Sequence, residues 1–209
     1  MNVQRILTGE IEENCYLLAS GKELLVIDPG ADGDVLAKHI AASGLKPRAI
    51  LLTHTHYDHI GASDLLRDKY HIPLYVHPAE NDWLGDPIKN LSGLWRHNDI
   101  ADVIIRPADE LLKAAPYTIG DFRFEVRETP GHSMGSVSFV FPDDQVVFTG
   151  DALFSGSIGR TDLFSGSMEQ LKDSITSELF TLPDDYLALP GHGPQTSIGH
   201  EKQTNPFFQ

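Results

Sequence analysis

A single cysteine, Cys15, stands among 209 residues, so no intrachain disulfide can form and nothing points to an oxidising compartment. Basic residues are scarce as well: 16 Lys and Arg face 30 Asp and Glu, a formal net charge of −14 at pH 7. Affinity for a polyanion is supplied mainly by Lys and Arg displacing counterions, so this balance argues against a nucleic-acid partner. No apolar run approaches the roughly 18 residues that would suggest a membrane span, and no repeat or low-complexity tract divides the chain. Residues 1–18 carry Glu10, Glu12 and Glu13 where a signal peptide would need its apolar stretch. These absences predict one domain over 1–209, cytoplasmic, with no nucleic-acid or membrane partner. They leave the oligomeric state open.

What is present is an ordinary globular composition, 41 % hydrophobic and 22 % charged. Strand patterns cover Val3 to Thr8, Asn14 to Ala19 and Glu23 to Ile27, the last closed by the turn Asp28-Pro29-Gly30. A helix fits Asp34 to Ala42 with Gly44 as its stop, and another fits Ala62 to Tyr70. Arg48 to Thr53 reads as a buried strand and Pro73 to Val76 as a short one. Between Pro78 and Asp102 the period is lost among polar residues, Trp83 and Trp95, which predicts short helices and makes 78–102 a cleft-covering insertion. Further on, Phe122 to Thr129 alternates, Ser136 to Phe141 and Gln145 to Thr149 form a hairpin, and Tyr186 to Leu189 is another short strand. Ser167 with Gln170 reads as a capping box opening a helix that runs to about Leu179. Strands outnumber the needs of one open sheet and helices fall between groups of them. The fold class is therefore α/β, with two sheets packed face to face and helices outside.

The chemistry centres on Thr53-His54-Thr55-His56-Tyr57-Asp58-His59 at the end of a buried strand. In an extended segment His54 and His56 point the same way, so two imidazoles can converge on one cation. As the chain turns toward a helix, Asp58 and His59 can be directed to a neighbouring position. Three more strand ends lead into small-residue turns bearing a ligand: Pro130-Gly131-His132, Thr149-Gly150-Asp151 and Pro190-Gly191-His192. Alone, His132 or His192 reads as a hydrogen-bonded turn residue. Together with the cluster, His54, His56, Asp58, His59, His132, Asp151 and His192 form a ligand set for two metals sharing a carboxylate. Imidazole with carboxylate suits zinc first, with iron or manganese also accepted, rather than magnesium or calcium. His39, His71, His77, His97 and His200 have no such company and read as surface or packing residues; Cys15 reads as a small buried hydrophobe.

On these segments, with Val26-Ile27-Asp28-Pro29-Gly30 and Gly156-Ser157-Ile158-Gly159-Arg160-Thr161-Asp162, the chain resembles the metallo-β-lactamase superfamily and within it the glyoxalase II-like, or hydroxyacylglutathione hydrolase-like, branch. The ending Gly199 to Phe207 resembles the short-form members. The resemblance implies the αββα sandwich of two mixed β-sheets flanked by helices. It assigns His54, His56 and His132 to one metal, Asp58, His59 and His192 to the other, and Asp151 as the bridge. Asp28 resembles the acidic residue that orients the metal site, against a plain turn-forming aspartate. Arg160 has two readings, a cation receiving a substrate carboxylate and a structural partner of Asp162. Only 17 residues follow His192, whereas the best-known glyoxalase II enzymes carry a helical extension that contributes to glutathione binding.

A dinuclear site supplies hydroxide at neutral pH. The implied activity is hydrolysis of a small-molecule thioester such as S-lactoylglutathione by a metal-bridging hydroxide, with Asp58 also accepting a proton. A thiolate leaving group of pKa near ~8.5 departs without much need for an acid. The main rival comes from a second resemblance: persulfide dioxygenases are similar in sequence, including the segment Gly159-Arg160-Thr161-Asp162, which implies action on glutathione persulfide with one iron held by His54, His132 and Asp151, and two histidines with a carboxylate can activate oxygen on iron. A nuclease is disfavoured by the acidic balance, and a non-catalytic metal module by the survival of every expected ligand type.

Overall fold

Two segments that alternate or run apolar at the start of the chain hairpin onto one another, and everything in the first half is built outward from them. The structure is a computed structural model describing residues 1–93 and 101–209. It divides into two compact units, Met1–Leu112 with Ile119–Phe122, and Lys113–Thr118 with Arg123–Gln209.

In the first unit β1 (Asn2–Thr8), β2 (Glu13–Ser20) and β3 (Glu23–Ile27) are antiparallel neighbours. They are followed in parallel by β4 (Lys46–Leu51), β5 (Leu74–Val76) and β6 (Glu110–Leu111), giving a mixed sheet ordered β1-β2-β3-β4-β5-β6. Parallel strands need crossovers, and α1 (Gly33–Ser43) and α3 (Ser63–Tyr70) supply two of them. Leu36 and Ile40 of α1 and Leu66 of α3 pack with Leu17, Leu24, Val26, Ile50 and Leu52 of the sheet side in one buried cluster. Gly44 stops α1 in the left-handed conformation, as its position in the sequence predicts. Cys15 sits inside the same cluster, fully buried.

The second unit carries β7 (Ala115–Ile119), β8 (Phe122–Glu128), β9 (Val137–Phe141), β10 (Val146–Gly150), a small ribbon of β11 (Leu153–Phe154) and β12 (Ser157–Ile158), then β13 (Leu187–Pro190) and β14 (Thr196–Ser197). Its main sheet is also mixed, ordered β14-β13-β10-β9-β8-β7, with β10 and β13 parallel. Helix α4 (Met168–Ser174) runs on as a wider turn through Ile175–Leu179 and places Leu171, Ile175 and Leu179 against Val140, Val147 and Ala188. A last helix, α5 (Ile198–Thr204), is anchored by the buried Glu201, whose carboxylate accepts from Gly156 N, Thr196 Oγ1 and Asn205 Nδ2. Among the described residues no helix is long and apolar enough to cross a membrane.

Several expectations shift in detail. The strand predicted over Arg48 to Thr53 ends at Leu51, because Thr53 turns its amide and hydroxyl to the Asp28 carboxylate instead of a ladder. Ser167 caps α4 by accepting from Gln170 N, but its own amide donates to Gly131 O, so the reciprocal half of the capping box has no role. The segment after β5 opens with a 3-10 helix over Pro78–Trp83, while Trp95, His97 and the rest of 94–100 lie outside the described residues. The short element α2 (Tyr57–Ile60) lies ahead of the helix predicted from Ala62, and no sequence pattern marks it.

Burial pushes the Cys15 thiol well above its ordinary range, so it carries no thiolate while the unit is folded. An aromatic disulfide reagent is expected to leave Cys15 unlabelled at pH 8 in the native protein and to label it at the rate of global opening as denaturant is added. Rapid labelling without denaturant would show this strand to be open to solvent.

Candidate metal centre

In the first unit the end of β4 delivers Thr53 to His56 into a loop, and α2 then presents Asp58 and His59. His54, His56 and His59 are buried and Asp58 is partly so. One carboxylate arranges them. Asp28, at the close of β3 with a left-handed backbone (φ 49), accepts Thr53 N at 2.7 Å, Thr53 Oγ1 at 2.6 Å and His59 Nδ1 at 3.1 Å. Because the Thr53 hydroxyl gives its hydrogen to Asp28, its oxygen is left to accept from His54 Nδ1, 3.1 Å away. Both His54 and His59 are thereby assigned the tautomer that protonates Nδ1 and leaves the Nε2 lone pair outward.

The ligand atoms then fall in pairs. His54 Nε2 lies 3.1 Å from His56 Nδ1, and His59 Nε2 lies 3.5 Å from Asp58 Oδ2. Two donors on one tetrahedral zinc, each at roughly 2.0–2.1 Å, stand about 3.3 Å apart, so each pair has the spacing of two ligands to one ion. The loops can approach this closely because Gly30 has no side chain: a Cβ there would fall on the Asp58 carbonyl.

The second unit makes a matching arrangement by itself. Asp151, just past β10, places Oδ2 at 3.5 Å from His132 Nε2 and 3.8 Å from His192 Nε2, so one carboxylate oxygen stands beside both histidines. His132 Nδ1 lies 2.8 Å from the Arg160 carbonyl, which again protonates Nδ1 and leaves Nε2 toward the carboxylate. Gly159 permits this packing, since a Cβ there would meet the Asp151 carbonyl and stand 3.0 Å from His132 Nδ1. The donor set of each unit fits a divalent transition metal.

The profile of the Metallo-beta-lactamase superfamily matches residues 8–192, which span both clusters. The chain belongs to the metallo-β-lactamase superfamily. It is 50 % identical over 210 residues to a protein of Streptococcus pyogenes named "Probable metallo-hydrolase", covering 100 % of this chain and 90 % of that one. To the hydroxyacylglutathione hydrolase GloC of Haemophilus influenzae it is 34 % identical, covering 100 % and 98 %. Among solved structures, the BLEG-1 B3 metallo-β-lactamase superposes with a TM-score of 0.95 at 44 % identity, covering 100 % of both chains. Two mixed β-sheets with flanking helices are this superfamily's fold, and the coarse activity follows: a metal-dependent hydrolase.

Within that superfamily fold the two weaker sequence candidates part ways. Asp28 does far more than form a turn, as its three donors show. The Arg160 guanidinium is exposed and holds Asp162 through two hydrogen bonds of 2.7 and 2.8 Å, while its main-chain carbonyl orients His132. Sequence reasoning missed two buried carboxylates. Glu80, on the 3-10 helix after β5, accepts Thr55 N at 2.8 Å and Thr55 Oγ1 at 2.9 Å, clamping the residue between His54 and His56. Glu13 accepts Thr8 Oγ1 at 2.6 Å and stands 3.9 Å from His59 Nδ1, and burial pushes its carboxyl well above the usual range. No ligand-like spacing marks either one. The only cue for Glu80 is an acidic residue one turn after a short strand.

Asp28→Asn replaces an acceptor with an amide that offers hydrogens to Thr53 and His59. Its zinc affinity, read by competition with a chelator, is expected to fall about 10- to 100-fold. Wild-type affinity in this variant would contradict the orienting role. Glu80→Ala is expected to cost about 1–3 kcal/mol per orphaned Thr55 donor in denaturant melts.

Proposed function

We propose that this chain is a dinuclear metal-dependent hydrolase that cleaves thioesters, with S-lactoylglutathione as the reference substrate, and that zinc is its first-choice metal. The supporting observation is the tautomer pattern: His54, His59 and His132 each have Nδ1 engaged by an oxygen, which turns Nε2 into a ligand atom beside a second ligand. In this reading His54, His56 and His132 hold one ion, Asp58, His59 and His192 the other, and Asp151 is shared. Two such ions, when bound, lower the pKa of a water toward neutrality and polarise a carbonyl oxygen.

The chain's own residues supply orientation and proton handling. Asp28 and the Arg160 carbonyl fix the imidazoles before substrate arrives, so little reorganisation is left for the reaction itself. Asp58, partly exposed beside His59, is the carboxylate placed to take the proton that an attacking water gives up. No residue is needed to protonate a departing thiolate. Thioester cleavage therefore suits a site whose polar groups are mostly committed to holding ligands.

Purified protein is expected to contain two metal ions per chain and to hydrolyse thioesters. Chelation should abolish turnover and zinc should restore it, and Asp58→Ala should lower kcat/KM by about 100-fold or more while the fold persists by circular dichroism. Stoichiometric oxygen uptake with glutathione persulfide on one iron per chain, with no thioester in a panel cleaved, would overturn the hydrolase reading in favour of the dioxygenase.

A further inference from the structure

The first unit holds a cavity of about 460 Å³ whose lining includes Asp58 but none of the described histidines. That volume lies within the range of small-molecule sites, roughly 300–1,000 Å³, and far exceeds what a lactoyl group needs. Its lining includes the apolar or aromatic Ile11, Tyr57 and Val103 and the glycines Gly30 and Gly61. Ile11 stands at the tip of the β1–β2 turn with half its surface exposed (50 %), an apolar side chain that a ligand in the cavity would cover.

The charged part of the described lining has one sign. Glu10 and Asp32 join Asp58 there, and no Lys, Arg or His is among the described lining residues. Asp32 is held in place: its backbone is left-handed (φ 53) and its Oδ2 accepts Gly9 N at 2.9 Å, which ties the β1–β2 turn to the start of α1. Asp58 shares its charge with the ion it would hold, which leaves Glu10 and Asp32 as the charged groups of the described lining that face the part of a ligand away from the metals. There two carboxylates repel a carboxylate and tolerate neutral or positive groups.

Resting on the thioester reading above, we propose that this cavity takes the thiol carrier of the substrate and selects a carrier that is apolar and bears no negative charge. A peptide thiol with free carboxylates, glutathione included, is the poorer occupant, so S-lactoylglutathione serves as the reference thioester and a neutral carrier gives the preferred one. The cavity's size assigns it to the carrier rather than the acyl group, and its charge selects which carrier.

The test compares acetyl thioesters of one neutral carrier (N-acetylcysteamine), one cationic carrier (thiocholine) and one anionic carrier (3-mercaptopropionate) on the zinc-loaded protein. The neutral and cationic esters are expected to exceed the anionic ester in kcat/KM by about tenfold at low ionic strength, with the gap closing as salt rises. Glu10→Lys should narrow the same gap, and Ile11→Ala should raise KM for the neutral ester. An anionic ester that is cleaved equally well or better, or a gap indifferent to both substitutions, overturns the proposal. A second readout does not depend on turnover: hexanol and hexyltrimethylammonium should shift the amide resonances of Gly9, Ile11 and Gly61, and hexanesulfonate should not. If no thioester is cleaved but the probes discriminate in this way, the charge selection stands and the carrier assignment falls with the thioester reading. If hexanesulfonate shifts them as strongly, or no probe does, the cavity proposal itself is wrong.

Discussion

The Asp28 carboxylate is the constraint on which the rest of the first cluster depends. Its three accepted hydrogen bonds run to both the backbone and side chain of Thr53 and to His59, and through the Thr53 hydroxyl it also determines how His54 is protonated. A histidine can bind a cation only through a nitrogen without a proton, so the tautomer is as much a part of the ligand set as the residue type. Paying the orienting cost at folding rather than at metal entry is what allows buried imidazoles to stand with ring centroids 4.1 to 4.6 Å apart.

The second unit solves the same problem with different parts. Where the first uses a carboxylate, His132 leans on a main-chain carbonyl, supplied by Arg160 in a loop that glycine allows to come close. The Arg160 side chain, which the sequence offers equally as a substrate cation and as a partner of Asp162, pairs with Asp162, and the residue's contact with the cluster comes from its backbone. Oxygen acceptors therefore stand behind candidate ligands in both units, and Glu80 extends the pattern by holding Thr55 between the first two histidines. The cavity beside Asp58 has the opposite character, with apolar contacts and carboxylates at its surface.

Much of this was legible in the residues alone, for definite reasons. The spacing of His54, His56, Asp58 and His59 announces side chains that converge, because they alternate along an extended segment, and their donor atoms pair at 3.1 and 3.5 Å. Strand ends followed by Gly131 and Gly150 mark places where the backbone takes a positive φ that a side chain would oppose. Gly44 marks the end of α1, and the Ser167 cap marks the start of α4. What stayed hidden were partners far apart in the chain. Glu80 and Thr55 are 25 positions apart, as are Asp28 and Thr53, and nothing local in either segment reveals that they meet. Short strands such as β11, β12 and β14 were hidden too, since two residues carry no period. The role of a backbone carbonyl, as at Arg160, is invisible in side-chain identity altogether.

The measurement that reaches this account most directly is long-range proton–nitrogen NMR of the histidine rings in metal-free protein. The account predicts that the neutral rings of His54, His59 and His132 carry their proton on Nδ1. Protonation of these rings on Nε2 would contradict it, because the nitrogen meant for the metal would then be blocked and the oxygens of Asp28, Thr53 and Arg160 would have no orienting role.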